Sequence, residues 1–223
     1  MKTHVYFLLD RTGSMAPMTD DVVGGFNAFL AEQRADGDDA RMTLVQFDSR
    51  DPFEVLADAV TIDKVRELTT DTFVPRGGTP LLDATGQLIA HASARVDKRA
   101  KAAKKPESIV VVTFTDGEEN ASRRFTTSDI KELVAAKEAQ GWTFVFLGAG
   151  LDAYGESRGI GYSDGSVQAW APDARGVQHA MASTSKAMLS HRGKVRRAEP
   201  IDSRDFFEGD KAAEADRRRR RGQ

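Results

Sequence analysis

The sequence predicts a doubly wound α/β fold, with a central, mostly parallel six-stranded sheet, one antiparallel strand and helices on both faces. Three observations predict it. Short apolar runs of strand length alternate with longer segments of helical period. One run, Ile109-Val110-Val111-Val112, is apolar at every position, as the central strand of a parallel sheet must be. One link between strand-like runs, Asp48-Ser49-Arg50-Asp51-Pro52, has turn chemistry and is too short for a crossover, so it makes its two strands an antiparallel hairpin.

The elements follow in order. Residues 4–9 read as a buried strand. Residues 19–35 read as a helix, with Thr19 as its cap, Asp20 and Asp21 at its positive end, and Val22, Phe26, Phe29 and Leu30 on one face. Gly24 and Gly25 lower its propensity. Residues 41–47 and 53–61 are the two hairpin strands, and 63–68 a short helix. Residues 80–96 form the next helix, with Leu81, Thr85, Leu88 and Ala92 in register. The central strand is 108–114. Residues 126–140 are a helix in which Thr126 and Asp129 have capping-box spacing and Gly141 ends the run. Residues 142–147 are a further buried strand, 153–158 a short helix and 166–170 a last short strand. Residues 177–189 are the last helix of the domain, carried by Val177, Met181, Thr184 and Met188.

The chain has 223 residues, which suits one domain with a tail. The expected division is a domain over 1–198 and a charged, flexible tail over 199–223, where periodicity fails apart from Phe206-Phe207. There is no cysteine, which excludes disulfides, thiolate metal sites and cysteine nucleophiles, and fits a reducing compartment. The net charge of −2 excludes a global basic field for nucleic acid. The basic residues cluster in two places, Lys98 to Lys105 and Arg217 to Arg221. The first reads as a solvated helix end and the second as a disordered basic tail. No window approaches the ~20 apolar residues of a membrane span. The apolar stretch Val5 to Leu9 is too short for a signal peptide, so a cytoplasmic location is expected.

In a doubly wound sheet, functional groups gather beyond the carboxyl ends of the strands. The first strand runs into Asp10-Arg11-Thr12-Gly13-Ser14-Met15, and the central strand into Thr115-Asp116-Gly117-Glu118-Glu119-Asn120. Arg76-Gly77-Gly78-Thr79-Pro80-Leu81 enters a helix. Asp10, Thr12, Ser14, Thr79 and Asp116 are all oxygen donors, two carboxylates and three hydroxyls. That set suits a hard cation, Mg²⁺ or Mn²⁺, and not a zinc site of His and Cys. Alternate positions 10, 12 and 14 turn three oxygens inward, with Gly13 permitting the turn. Each piece also has an ordinary reading: Asp10 and Ser14 as turn caps, Thr79-Pro80 as a helix start, Asp116-Gly117 as a turn. Their joint placement favours a site.

These residues resemble those of the von Willebrand factor A domain, a Rossmann-like fold shared by integrin inserted domains, adhesion proteins and many stand-alone intracellular proteins of bacteria. The family's metal-ion-dependent adhesion site reads Asp-x-Ser-x-Ser after the first strand, then a Thr, then an Asp after the fourth strand. The matching positions are Asp10, Thr12 and Ser14, then Thr79, then Asp116, with Thr12 replacing the usual Ser. The match around Phe73-Val74-Pro75-Arg76-Gly77-Gly78-Thr79-Pro80-Leu81 is long, and the resemblance covers about residues 3 to 190. It implies a bound Mg²⁺, with Mn²⁺ or Ca²⁺ as substitutes, completed by a Glu or Asp of a partner protein. It permits, without selecting, an AAA⁺ ATPase or a stress or conflict-system partner. Arg11, Arg76, Glu118 and Glu119 are the candidates to contact that partner.

Two other functions compete. A Mg²⁺-dependent phosphoryl or phosphodiester hydrolase is suggested by Asp10-Arg11-Thr12, which resembles in part the nucleophile loop of haloacid dehalogenase-type enzymes. Those need an Asp where Thr12 stands. Glu118 or Glu119 would have to serve as base. A nucleic-acid-associated role would act through the Arg217 to Arg221 run. His4, His91, His179 and His191 are scattered without ligand spacing. Gly148-Ala149-Gly150 lacks the third glycine of a dinucleotide loop and follows the fifth strand rather than the first. The expectation is a binding module and not an enzyme.

Overall fold

The computed structural model describes residues 1–149 and 152–221. Its six strands are β1 (Lys2–Asp10), β2 (Ala40–Phe47), β3 (Glu54–Thr61), β4 (Glu107–Thr115), β5 (Thr143–Ala149) and β6 (Val167–Trp170). They form one sheet in the order β3-β2-β1-β4-β5-β6. All neighbours are parallel except β2 and β3. The hairpin predicted from the Asp48–Pro52 turn is therefore present, and β3 is the edge. Its register shifts against β2. At the irregularity Ala59 takes a left-handed φ of 53°, and its N–H is bonded to the Thr43 hydroxyl at 3.0 Å.

The main helices are α1 (Thr19–Ala35), α2 (Leu81–Lys101), α3 (Thr127–Glu138), α4 (Ala153–Gly159), α5 (Ala174–Arg197) and α6 (Ala212–Arg221). Strand alternation divides the core in two. Phe7, Leu9, Val110 and Val112 face α1 and α5, where Phe26, Phe29 and Met181 meet them. Tyr6, Leu8, Val111 and Phe144 face α2 and α3, against Leu88, Ile89 and Ile130. The capping box of α3 is formed as its spacing predicted: Asp129 N–H donates to the Thr126 hydroxyl, and Thr126 N–H to the Asp129 carboxylate.

Two expectations are corrected. Residues 63–68 are not a helix; one tight turn at Ile62–Lys64 gives way to extended chain. Asn27 of α1 holds that chain open, its amide exchanging two 2.9 Å hydrogen bonds with the backbone of Leu68. These bonds replace the ones a helix would have supplied.

The second correction concerns residues from 199 onward, expected to be a flexible tail. α5 ends on Ala198 in the left-handed conformation, and the chain folds back over the domain. Phe206 and Phe207 are 4% and 2% exposed and join the core beneath α5. Phe206 N–H donates to the Ser166 hydroxyl at 3.1 Å, and Ala213 N–H to the Gln168 side chain at 2.8 Å. The basic run lies on α6 and is partly neutralised. Asp216, almost fully buried, pairs with Arg175 at 2.6 Å and with Arg220 at 3.1 Å, and Arg220 also reaches Asp173. Two adjacent phenylalanines were the apolar payload that docks a segment otherwise too charged to pack. Residues 222 and 223 lie outside the described residues.

Candidate functional site

Strand order alone locates a crevice. From β1 the chain moves outward to β2 on one side and, later, to β4 on the other, so loops leaving the ends of β1 and β4 part in opposite directions. Leu9 pairs with Phe114 across these two central strands. That register sets Asp10, the last residue of β1, beside Thr115, the last of β4, and the Thr115 hydroxyl donates to Asp10 Oδ2 at 2.6 Å. Asp116 follows immediately.

The five oxygen-bearing residues converge here. Thr12 N–H donates to Asp10 Oδ1 at 2.7 Å, which turns the loop back on itself. The Thr12 and Ser14 hydroxyls lie 3.1 Å apart, and Ser14 Oγ donates to Asp116 Oδ1 at 2.8 Å. Thr79 joins from the third loop: a Cβ on Gly117 would lie 3.0 Å from Thr79 Oγ1 and 3.5 Å from Ser14 Oγ. Glycine at 117 leaves room for the Thr79 hydroxyl. Gly13 has a different duty from the one expected. Its φ is ordinary; what it needs is closeness, since its N–H bonds the Gly77 carbonyl at 3.0 Å and a Cβ would sit 3.3 Å from that oxygen. Asp10, Thr12 and Thr79 are buried, Asp116 is half-buried and Ser14 is exposed, so the cluster opens to solvent on one side.

Burial pushes the Asp10 carboxyl up to about 7 against the hydrogen bonds from Thr115 and Thr12, with the charge of Asp116 adding to the rise. Burial also raises Asp116, against the bond from Ser14. Two carboxyls thus share one cluster, and no cationic side chain bonds either of them among the described residues. Arg11 lies between Asp10 and Thr12 in sequence but turns away. The remaining lone pairs of two carboxylates and three hydroxyls form a donor set that a small hard divalent cation accepts. Among the described residues no three His, Cys, Asp or Glu side chains gather in a metal-holding cluster, so a cation here relies on the hydroxyls.

The loops are braced by side chains that the sequence did not single out for that task. Glu119 accepts from Leu82 N–H at 2.9 Å, Ala121 N–H at 2.9 Å, and the N–H and hydroxyl of Ser122, both at 2.7 Å. It thereby caps α2, which starts at Leu81 on a Pro80 that makes no side-chain cap. Reciprocally, Asp83 in the first turn of α2 accepts from the N–H groups of Arg123, Arg124 and Phe125 at 2.9 Å each. Asn120 Oδ1 accepts from Thr79 N–H at 2.8 Å and positions the third hydroxyl. A groove of about 500 Å³, bordered by Ser49, Pro52, Pro80, Asn120 and Arg123, opens beside Thr79.

Three of the four expected partner-contact residues are engaged elsewhere. Arg11 is 3% exposed and bonds Asp48 at 2.8 Å, Gln46 at 3.1 Å and Glu54. A guanidinium so enclosed braces the β2–β3 turn and is not free for a partner. Arg76 reaches the same Asp48 oxygen at 3.0 Å and keeps about a third of its side chain exposed. Glu119 is the brace just described. Glu118 stays exposed at the rim. There, with Asp152 and Glu119, its charge adds to the burial that pushes Glu156 up to about 7. Among the histidines, His4 and His191 are buried packing residues, and His91 pairs with Asp58 at 2.9 Å on the surface. Of the Gly148-Ala149-Gly150 stretch, Gly150 lies outside the described residues.

The comparisons with known proteins agree with this fold. The family model described as von Willebrand factor type A domain matches residues 4–180. No curated protein matches the chain in sequence. Among solved structures, the SpRpn10 VWA domain aligns with a TM-score of 0.55 and 12% identity, over 82% of this chain and 95% of that one. The pilus adhesin SpaC of Lactobacillus rhamnosus GG aligns with a TM-score of 0.63 and 14% identity, over 86% of this chain and 31% of the adhesin. Proximal thread matrix protein 1 from the mussel byssus, in a form with a zinc-occupied MIDAS motif, gives 0.55 and 16%, over 84% of this chain and 46% of that protein. Manganese-loaded TRAP protein of Plasmodium vivax gives 0.54 and 14%, over 81% and 72%.

Proposed function

The chain belongs to the von Willebrand factor type A domain family, and from that membership we propose that it is a metal-dependent protein-binding module. Asp10, Thr12, Ser14, Thr79 and Asp116 hold one Mg²⁺, with Mn²⁺ or Ca²⁺ able to substitute. The observation that carries the reading is the convergence of hydroxyls and carboxylates from three loops, with Ser14 Oγ on Asp116 Oδ1 at 2.8 Å as its centre. The metal-loaded neighbours support a divalent ion in a fold of this kind: one holds zinc in its MIDAS motif and another manganese. The all-oxygen set here favours Mg²⁺ or Mn²⁺ over zinc.

When bound, the cation supplies an exchangeable coordination position that takes a carboxylate oxygen. The residues of this chain do the rest. Asp10 and Asp116 provide the opposing charge, the hydroxyls provide neutral oxygens, and the exposed Ser14 edge leaves one side open to a Glu or Asp of another protein. Thr12 keeps the hydroxyl of the serine usual in the family. A hydrolase reading has less support, because Thr12 stands where a second carboxylate is needed and Glu119 spends its oxygens on four bonds within the chain. Among the described residues no helix is long and apolar enough to cross a membrane. The partner class we propose is a cytoplasmic protein, with an AAA⁺ ATPase or a stress or conflict-system component within its range.

The test is capture of partners from a lysate of the source cells by the immobilised chain, in Mg²⁺ and in EDTA, followed by mass spectrometry. A protein retained in Mg²⁺, released by EDTA and lost with Asp116→Ala supports the reading. Retention that is equal in EDTA contradicts it.

A further inference from the structure

At the opposite end of the strands from the oxygen cluster, where β4 and β5 begin, the last turns of α2 overhang a cavity of about 350 Å³. Its walls are apolar: Val96 and Ala100 from α2, Ile109 from β4, and Trp142 just before β5. The volume lies at the lower end of the ~300–1,000 Å³ range of small-molecule sites. Trp142 is the largest side chain lining it.

The polar end of the cavity has a surplus of positive charge. Glu107 is the single carboxylate among the lining residues, and its side chain is only 4% exposed. Three guanidinium groups share it: Arg99 at 3.2 Å, Arg41 at 3.3 Å and Arg95 at 3.8 Å. His4 also approaches it at 3.5 Å, but burial lowers its pKa and favours the neutral ring. Arg99 and Lys104 both line the cavity, and Lys137 lies 5.1 Å over the Trp142 ring. Lys98, Lys101 and Lys105 stand exposed on the same turn and the loop after it. Arg99 is bound to Glu107 and to the Lys105 carbonyl at 2.8 Å, and Lys104 is exposed next to it. Apolar walls beside a cluster in which cations outnumber the one lining carboxylate match a ligand with an apolar ring and one negative group.

We propose that this cavity binds a small aromatic carboxylate, its ring against Trp142 and Ile109 and its carboxylate toward Arg99 and Lys104. The site is separate from the oxygen cluster and needs no metal. It also gives the Lys98 to Lys105 run, which reads from sequence as a solvated helix end, a role as the site's cationic rim.

The test titrates the full chain with phenylbutyrate in EDTA, followed by calorimetry and tryptophan fluorescence, with phenylbutanol as the neutral counterpart. Saturable phenylbutyrate binding is expected, with a fluorescence change that disappears in Trp142→Phe. The second tryptophan, Trp170, is fully buried against Phe114 on the other face and stays silent. Ala100 is exposed, so Ala100→Phe keeps the fold, checked by circular dichroism, while filling the cavity, and it abolishes binding. Lys104→Glu weakens binding about tenfold or more by reversing one charge at short range. Phenylbutanol binds more weakly than the acid. No saturable binding, equal binding of the alcohol, or binding unchanged in Ala100→Phe and Lys104→Glu overturns the proposal. So does binding that requires Mg²⁺, which would move the ligand to the oxygen cluster.

Discussion

Ser14 Oγ donates to Asp116 Oδ1 at 2.8 Å, joining two loops separated by 102 residues of chain. The bond links the end of β1 to the end of β4. It stands where the proposed cation has its most exposed hydroxyl and one of its two carboxylates.

The first prediction follows from the charge of that pair. Without a cation, Asp10 and Asp116 repel one another in a partly buried crevice. Asp116→Ala removes the repulsion and touches no core side chain. Its metal-free melting temperature is expected to equal or exceed that of the wild type, while the rise seen on adding millimolar Mg²⁺ disappears. Ser14→Ala is expected to keep part of that rise, since a neutral hydroxyl contributes less than a carboxylate. Thermal melts in EDTA and in Mg²⁺ check both. A Mg²⁺-dependent rise that persists in Asp116→Ala counts against the assigned ligands.

The second concerns Glu119. Its four accepted hydrogen bonds tie the β4 loop to the start of α2. Glu119→Ala leaves several partly buried donors without partners, at ~1–3 kcal/mol for each group left unsatisfied. The variant is expected to melt well below the wild type even without metal, and Glu119→Gln to fall between them. An unchanged melting temperature would return Glu119 to the role of a free rim residue.

The third concerns the C-terminal segment. Phe206 and Phe207 meet edge to face with ring centres 5.2 Å apart, in the core beneath α5. Buried Phe→Ala changes cost ~3–5 kcal/mol. Phe206→Ala is expected to lose stability on that scale, and truncation after residue 198 to lower the melting temperature clearly. Chemical denaturation measures the first and calorimetry the second. A truncated chain as stable as the full one would mean that the segment contributes nothing.

The fourth is a pH dependence. Burial, with a further push from Lys194, lowers His191 to about 4 from its ordinary 6.5. The folded state therefore binds a proton less readily than the unfolded chain, whose histidine titrates near the ordinary value. Stability from this residue is present above pH 6.5 and is lost as pH falls toward 4, each unit of difference being worth up to ~1.4 kcal/mol. His191 accepts or donates a 2.9 Å bond with Ser108 and packs against Phe206. Stability measured from pH 7 down to pH 4 is expected to fall more steeply in the wild type than in His191→Gln. Parallel curves would show that His191 is not the group responsible.

The fold was largely legible because its signals are additive along the chain. Alternating strand and helix periods, one link too short to cross over, and a capping box at Thr126 each required only nearby residues. The convergence of the five oxygen-bearing side chains was legible because the family motif names their positions, in two loops that follow strands and one that enters a helix. What could not be read was direction. Arg11 and Glu119 sit in the right loops, but nothing in their neighbours along the chain says that one turns toward Asp48 and the other back to Leu82. Those contacts span 37 residues of chain in each case. The helix expected at 63–68 failed for a similar reason, because Asn27 supplies its competing hydrogen bonds from a distant helix. The docking of the C-terminal segment had one sequence signal, Phe206-Phe207, outweighed there by surrounding charge.

The most direct test of the account is a calorimetric titration of the metal-free chain with Mg²⁺ and Mn²⁺, beside the Asp10→Ala and Asp116→Ala variants. The account predicts one divalent ion per chain in the wild type and loss of that binding in both variants, with circular dichroism unchanged. No heat of binding from the intact, folded wild type at millimolar Mg²⁺ and Mn²⁺, or undiminished binding by the two variants, would contradict it.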